Sequence, residues 1–128
     1  VPAAESRPFA YALLRVVPHV ERGEQLNVGV VLFCRQLDFL AVRAHVDEPR
    51  LRALAPQLDL ADLGERVDVL ARVAAGDPTA GALARLDRSE RFGWLVAPSS
   101  TVIQPSQVHT GITADPAATL ERLFETLV

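Results

Sequence analysis

The chain contains no lysine and no methionine, and it has a single cysteine, Cys34. Without lysine there is neither a Schiff-base amine nor the lysine of a phosphate-binding loop. One cysteine excludes an internal disulfide framework. The three histidines, His19, His45 and His109, have no short ligand spacing. With one cysteine they cannot supply the closed nitrogen and sulfur set of a structural zinc site, so no metal and no cofactor is expected. No apolar run approaches the ~20 residues of a membrane helix; Val28–Cys34 is typical of the longest. The opening residues, Val-Pro-Ala-Ala-Glu-Ser-Arg-Pro, lack the apolar stretch of a secretory signal. The glycine patterns of hydrolase nucleophile elbows and of P-loops are absent.

What is present is ordinary for one globular domain. The 128 residues weigh 13.9 kDa, with 49% hydrophobic and 23% charged side chains. That length fits a single domain over 1–128, large enough to bury a core without staples. Net charge is −3 and the pI about 5.6, so a general polyanion binder is disfavoured and nucleic acid is not an expected partner. All thirteen basic residues are arginine, a chain-wide bias better explained by a GC-rich genome than by selection at one site. A cytoplasmic location is expected.

Periodicity supplies the elements. Phe9–Pro18 is short, apolar on both faces and closed by proline, as a buried strand is. Leu26–Cys34 is rich in β-formers, and Arg35–Asp38 connects it tightly to Phe39–Val46, predicting a hairpin. If Cys34 pairs with Phe39, Leu26, Val28, Val30, Leu32 and Cys34 share a face with Phe39, Ala41, Arg43 and His45. Asn27, Gly29, Val31 and Phe33 then share the other with Leu40, Val42, Ala44 and Val46. Asp47, Asp59 and Asp115 read as helix N-caps, two of them followed by proline in the first turn. Gly76 stops the second helix. Phe92–Val96 and Thr101–Gln104 read as two further strands, and Pro105–Thr113 as a polar loop. The expected order is β-β-β-α-α-β-β-α: an α+β fold with a mainly antiparallel sheet of about five strands and helices packed on one face. Both sheet faces are apolar, so the second needs cover from more chain or from another subunit. Val30, Leu32, Leu63, Leu70, Leu123 and Phe124 are expected in the core.

Three places combine residue types that carry chemistry. Arg15 interrupts the apolar run Leu13–Val17 and needs a carboxylate or an anion, with Glu24 the nearest acid in sequence. In Arg22–Gly29, Glu24 is a candidate base, Asn27 an amide donor and acceptor, and Gly29 either a point of close approach or a bulge. The polar stretch Ser99–Thr110 holds Ser100, Gln104, Ser106 and His109, with His109 able to move a proton near neutrality. The candidate binding set is therefore Arg15, Glu24, Asn27, Ser100, Gln104 and His109. The same residues also suit a closed structural network, and both readings stay open at this point.

The pattern Tyr11-x-x-x-Arg15-x-x-Pro18, Arg22-Gly23-Glu24-x-x-Asn27-Val28-Gly29-Val30-Val31-Leu32, then Arg91-Phe92-x-Trp94-Leu95-x-Ala97-Pro98-x-Ser100-Thr101 through Gln104 and His109-x-Gly111, resembles the bacterial domain-of-unknown-function family 3037. The resemblance implies a bacterial, cytoplasmic protein without an assigned activity, and a protein partner, with a HipA-like kinase as one candidate. It assigns no catalytic residue. Two functions are consistent with the sequence. One is a protein-binding or assembly module, self-association included, signalled by an exposed apolar patch or open sheet edge. The other is a small enzyme or a phosphate- or nucleotide-binding domain built around Arg15, Glu24 and His109, signalled by a concave pocket lined by them.

Overall fold

The computed structural model describes residues 5–99 and 101–128. Its strands are β1 (Arg7–Val16), β2 (Leu26–Cys34), β3 (Phe39–Ala44), β4 (Ile103–Pro105) and β5 (His109–Thr113). The helices are α1 (Glu48–Leu54), α2 (Leu60–Ala75), α3 (Arg88–Leu95) and α4 (Pro116–Leu127). All pairings are antiparallel. The sheet runs β3-β2-β1, and β1's remaining edge is shared by β4 at one end and β5 at the other. The fold is α+β with five strands, as the sequence implies.

The hairpin has the predicted register, Cys34 opposite Phe39. Strict alternation along β2 fails at one point. Leu14 pairs with Gly29 and Arg15 with Asn27, so Val28 is an extra residue, a β-bulge. The bulge moves Val28 onto the face of Val31 and turns Asn27 to the opposite face, reversing the expected side for both. Gly29 adjoins it, where a Cβ would lie 2.9 Å from the Ala44 Cβ, so only glycine permits this strand spacing.

Both faces of the sheet are covered, which corrects the expectation of helices on one face. Ala12, Leu14, Val16, Val28 and Val31 pack with Leu51 of α1, Leu63, Val67 and Val73 of α2, and Leu95 of α3. Phe9, Leu13, Val30, Leu32 and Cys34 pack with α4 through Leu120, Leu123, Phe124 and Leu127. The alternation of a central strand makes both faces apolar, and α4's stripe is the cover the second face requires. Val30, Leu32 and Leu63 are buried as expected, whereas Leu70, Leu123 and Phe124 are only partly so.

Asp47, Asp59 and Asp115 each accept from the backbone N–H three residues on, at 3.1–3.2 Å. Phe92–Val96 is not a strand. Phe92–Leu95 belongs to α3, with Val96 at its C-cap, and the N-cap Asp87 accepts from Glu90 N at 2.8 Å. The stretch expected as a loop contains β5, which exists because β1 offers it a pairing edge.

Candidate functional site

Arg15 stands opposite Asn27 on one side and Gln104 on the other. Directly opposed residues of antiparallel strands share a face, so these three form one polar row across the sheet, on the side of α4. The bulge at Val28 is what brings Asn27 into it. Arg15 Nε donates to Asn27 Oδ1 at 3.3 Å, and Asn27 Nδ2 donates to the Leu127 carbonyl at 3.1 Å. That carbonyl lies in the last turn of α4, where the helix itself supplies no donor. Gln104 Nε2 is occupied locally, donating to Thr101 O at 3.0 Å. Arg15 is half-buried, and among the described residues no carboxylate pairs with it.

Glu24 does not reach Arg15. Gly23, at φ 71°, closes a 3₁₀ turn over Val20–Arg22 and sets Glu24 against Arg22 at 2.5 Å. That hydrogen bond, and secondarily the guanidinium charge, hold the Glu24 carboxyl below its ordinary range. His109 stands opposite Tyr11, with ring centroids 5.2 Å apart. Tyr11 and Arg15 share a face but lie four residues apart on β1, about 13 Å along the strand. The six candidates thus divide: Arg15, Asn27 and Gln104 meet, His109 joins an aromatic pair in a separate row, and Glu24 lies in an exposed turn. Ser100 lies outside the described residues.

Between the two rows lies Ser106, which is buried. Its hydroxyl accepts the Leu13 N–H at 2.8 Å and donates to Gln107 O at 2.9 Å, while its own N–H donates to Leu13 O at 2.8 Å. Here a side chain replaces a backbone carbonyl in the ladder, bridging the break between β4 and β5. Arg91 is also buried. Its Nη1 donates to Val73 O and Ala74 O, both at 2.9 Å, and so caps the C-terminus of α2. Gly76, at φ 72°, ends that helix, and a Cβ there would come within 3.0 Å of Arg91 Nη1.

An apolar concavity lies elsewhere. A groove of about 460 Å³ opens between α2, α3 and the segment leading into β4. Its floor is Leu14, Leu95 and Ile103, its walls include Val69, Leu70 and Pro98, and Trp94 stands on its rim with 44% of its surface exposed. The polar groups nearby are largely committed. Ser99 Oγ and Thr101 Oγ1 bond each other at 2.9 Å, Thr101 Oγ1 donates to Ile103 O at 2.8 Å, and Arg66 pairs with Asp62 at 2.9 Å. A strand at Phe92–Val96 would conceal this groove, because it would put Phe92 on the side of Trp94, whereas the helix gathers Arg91, Phe92 and Leu95 on one inward face and leaves Trp94 outside. The spacing Asp87-x-x-Glu90 was the available signal for that helix.

These features define a small three-layer α+β domain, an antiparallel sheet between α1–α3 and α4. A family model matches residues 11–128, including the middle helices that carry no quoted motif, and the chain belongs to that family, proteins of unknown function designated DUF3037. No curated protein and no solved structure matches the chain. No helix among the described residues is long and apolar enough to cross a membrane.

Proposed function

We propose that the chain is a protein-binding module of the bacterial cytoplasm that receives an apolar segment of a partner in the groove between α2 and α3. The observation that carries this reading is the groove itself, apolar in its floor and rimmed by a half-exposed tryptophan. Tryptophan on a rim over a desolvated floor is the residue type that dominates binding energy at protein interfaces. The volume also suits a small ligand, but such sites need convergent free polar groups to fix the ligand, and here the hydroxyls are committed to one another. Arg66 is the exception. Its exposed pair with Asp62 is of a kind worth only about 0–1 kcal/mol, so it exchanges readily for an acidic group on the partner. The partner's docking segment is therefore apolar with a neighbouring carboxylate, of the helix-in-groove type.

The HipA-like kinase implied by the family resemblance is the first partner to test. Purified kinase should be retained by the wild-type chain and by Arg85→Ala, a variant away from the groove, but not by Val69→Asp, which puts a charge on the groove wall. Equal retention by all three removes the groove from the interface. The competing reading, a phosphate or nucleotide site using Arg15, Glu24 and His109, is reduced by their separation to an anion at Arg15 beside Asn27, and it draws support from Arg15's lack of a carboxylate partner among the described residues. Titration with inorganic phosphate, read on the Arg15 and Asn27 side-chain NMR signals, decides for it if both shift saturably.

A further inference from the structure

β5 is an edge strand, and among the described residues it pairs only with β1. The direction of its free hydrogen-bonding groups follows from Leu13. Leu13 donates to the Ser106 hydroxyl and accepts from the Ser106 N–H, so its N–H and C=O both point toward the β4/β5 side. Successive residues of a strand alternate in this direction. Phe9 and Tyr11 therefore also face β5, and their partners Gly111 and His109 point their backbone groups inward at β1. Thr110 and Ile112 point theirs outward. The Ile112 side chain is 71% exposed.

Natural sheets blunt such an edge with charge, proline or cover. β3, at the opposite edge, carries Arg43, which pairs with Glu121 at 3.0 Å and lies over the Phe124 ring. From Ser106 to Ala114 there is no acidic residue, no arginine and no proline. A strand with no acid and no arginine meets its own copy without repulsion between fixed charges. A two-fold axis through Gly111 sets Thr110 opposite Ile112 of the second copy, and Ile112 opposite its Thr110. Both are pairs whose outward N–H and C=O groups bond reciprocally. Gly111 then meets Gly111 in the closely spaced, non-hydrogen-bonded position, where strands approach to about 4.5 Å between Cα atoms. A side chain there is already excluded by Phe9, whose ring would lie 2.7 Å from a Cβ at 111.

We infer that the chain forms a symmetric dimer by antiparallel pairing of β5 with β5 of a second copy, making one continuous ten-stranded sheet. This surface is separate from the α2–α3 groove and does not depend on the function proposed for it. The test measures mass in solution by light scattering together with amide hydrogen exchange. The wild-type chain should show twice the 13.9 kDa chain mass, and the Thr110 and Ile112 amides should be protected in a concentration-dependent way. Thr110→Pro removes an outward N–H and leaves the β1 ladder intact, as proline at an edge can. It should retain the wild-type circular dichroism and melt while reverting to a monomer. If that variant does not fold, Ile112→Arg, at an exposed side chain, provides the same readout. A wild-type monomer at concentrations up to about 1 mM, with or without another protein's strand on the edge, overturns the inference. So does a folded variant that remains dimeric, or fast exchange at Thr110 and Ile112 in a dimer.

Discussion

Ser106→Ala tests how β1's free edge is held. The substitution removes the hydroxyl that accepts the Leu13 N–H and that donates to Gln107 O. Leu13 is buried, so its N–H loses its partner in a place water does not readily reach. A buried donor left unsatisfied costs about 1–3 kcal/mol, and the lost bond to Gln107 lies within the same range of effects. For a domain of this size each kcal/mol lowers the melting temperature by about 4 °C, so a fall of about 4–12 °C is expected. Urea unfolding should show the midpoint decrease with an unchanged slope, since the surface exposed on unfolding is the same. The Leu13 amide should also exchange faster in the folded variant, and Ser106→Thr, which keeps a hydroxyl, should recover most of the loss. A loss below about 0.5 kcal/mol, within the scatter of ordinary surface changes, would refute the reasoning.

Arg91→Ala should cost about 2–4 kcal/mol, because it strips two carbonyls at the end of α2 of a charged donor and removes a buried stem; denaturant unfolding checks it. Leu70→Ala should cost only about 1 kcal/mol, below the range for fully buried leucines, because Leu70 lines the groove; a loss above about 2 kcal/mol would place it in the core. The Thr79 hydroxyl and, secondarily, its N–H hold the Asp77 carboxyl below its ordinary range. Because the folded pKa is the lower one, the stabilisation is present above the unfolded value, about 3.9, and is lost as pH falls through the folded value. Asp77→Asn should therefore flatten the decline in stability below about pH 4; an unchanged acid slope contradicts this.

Much of the fold was legible because it follows from local chemistry. The hairpin register came from the two-residue period and a tight connection, and the Asp47, Asp59 and Asp115 caps from an acid preceding a helical stripe. The parts that were not legible depend on distant chain. The Val28 bulge is a mismatch between β1 and β2, and no residue of β2 announces on which side it falls. β5 is polar and short, and it becomes a strand only against β1. Phe92–Val96 has strand-like composition, but Asp87, Glu90 and the inward demand of Arg91 toward α2 make it a helix. Of the candidate site residues, Arg15, Asn27 and Gln104 converge because the bulge and the β4 register align them. Glu24 is diverted by a glycine turn to Arg22, two residues away. The groove was invisible, since its walls come from three elements, one of which read as a different structure.

The groove's role is tested most directly by a photo-crosslinking amino acid placed, in living cells of the source organism, at position 69 on the wall, at position 94 on the rim, and at position 85 as a control. The account predicts a discrete adduct with the same partner protein from positions 69 and 94 and none from position 85. Adducts that are absent from the groove positions, or equal at all three, would contradict it.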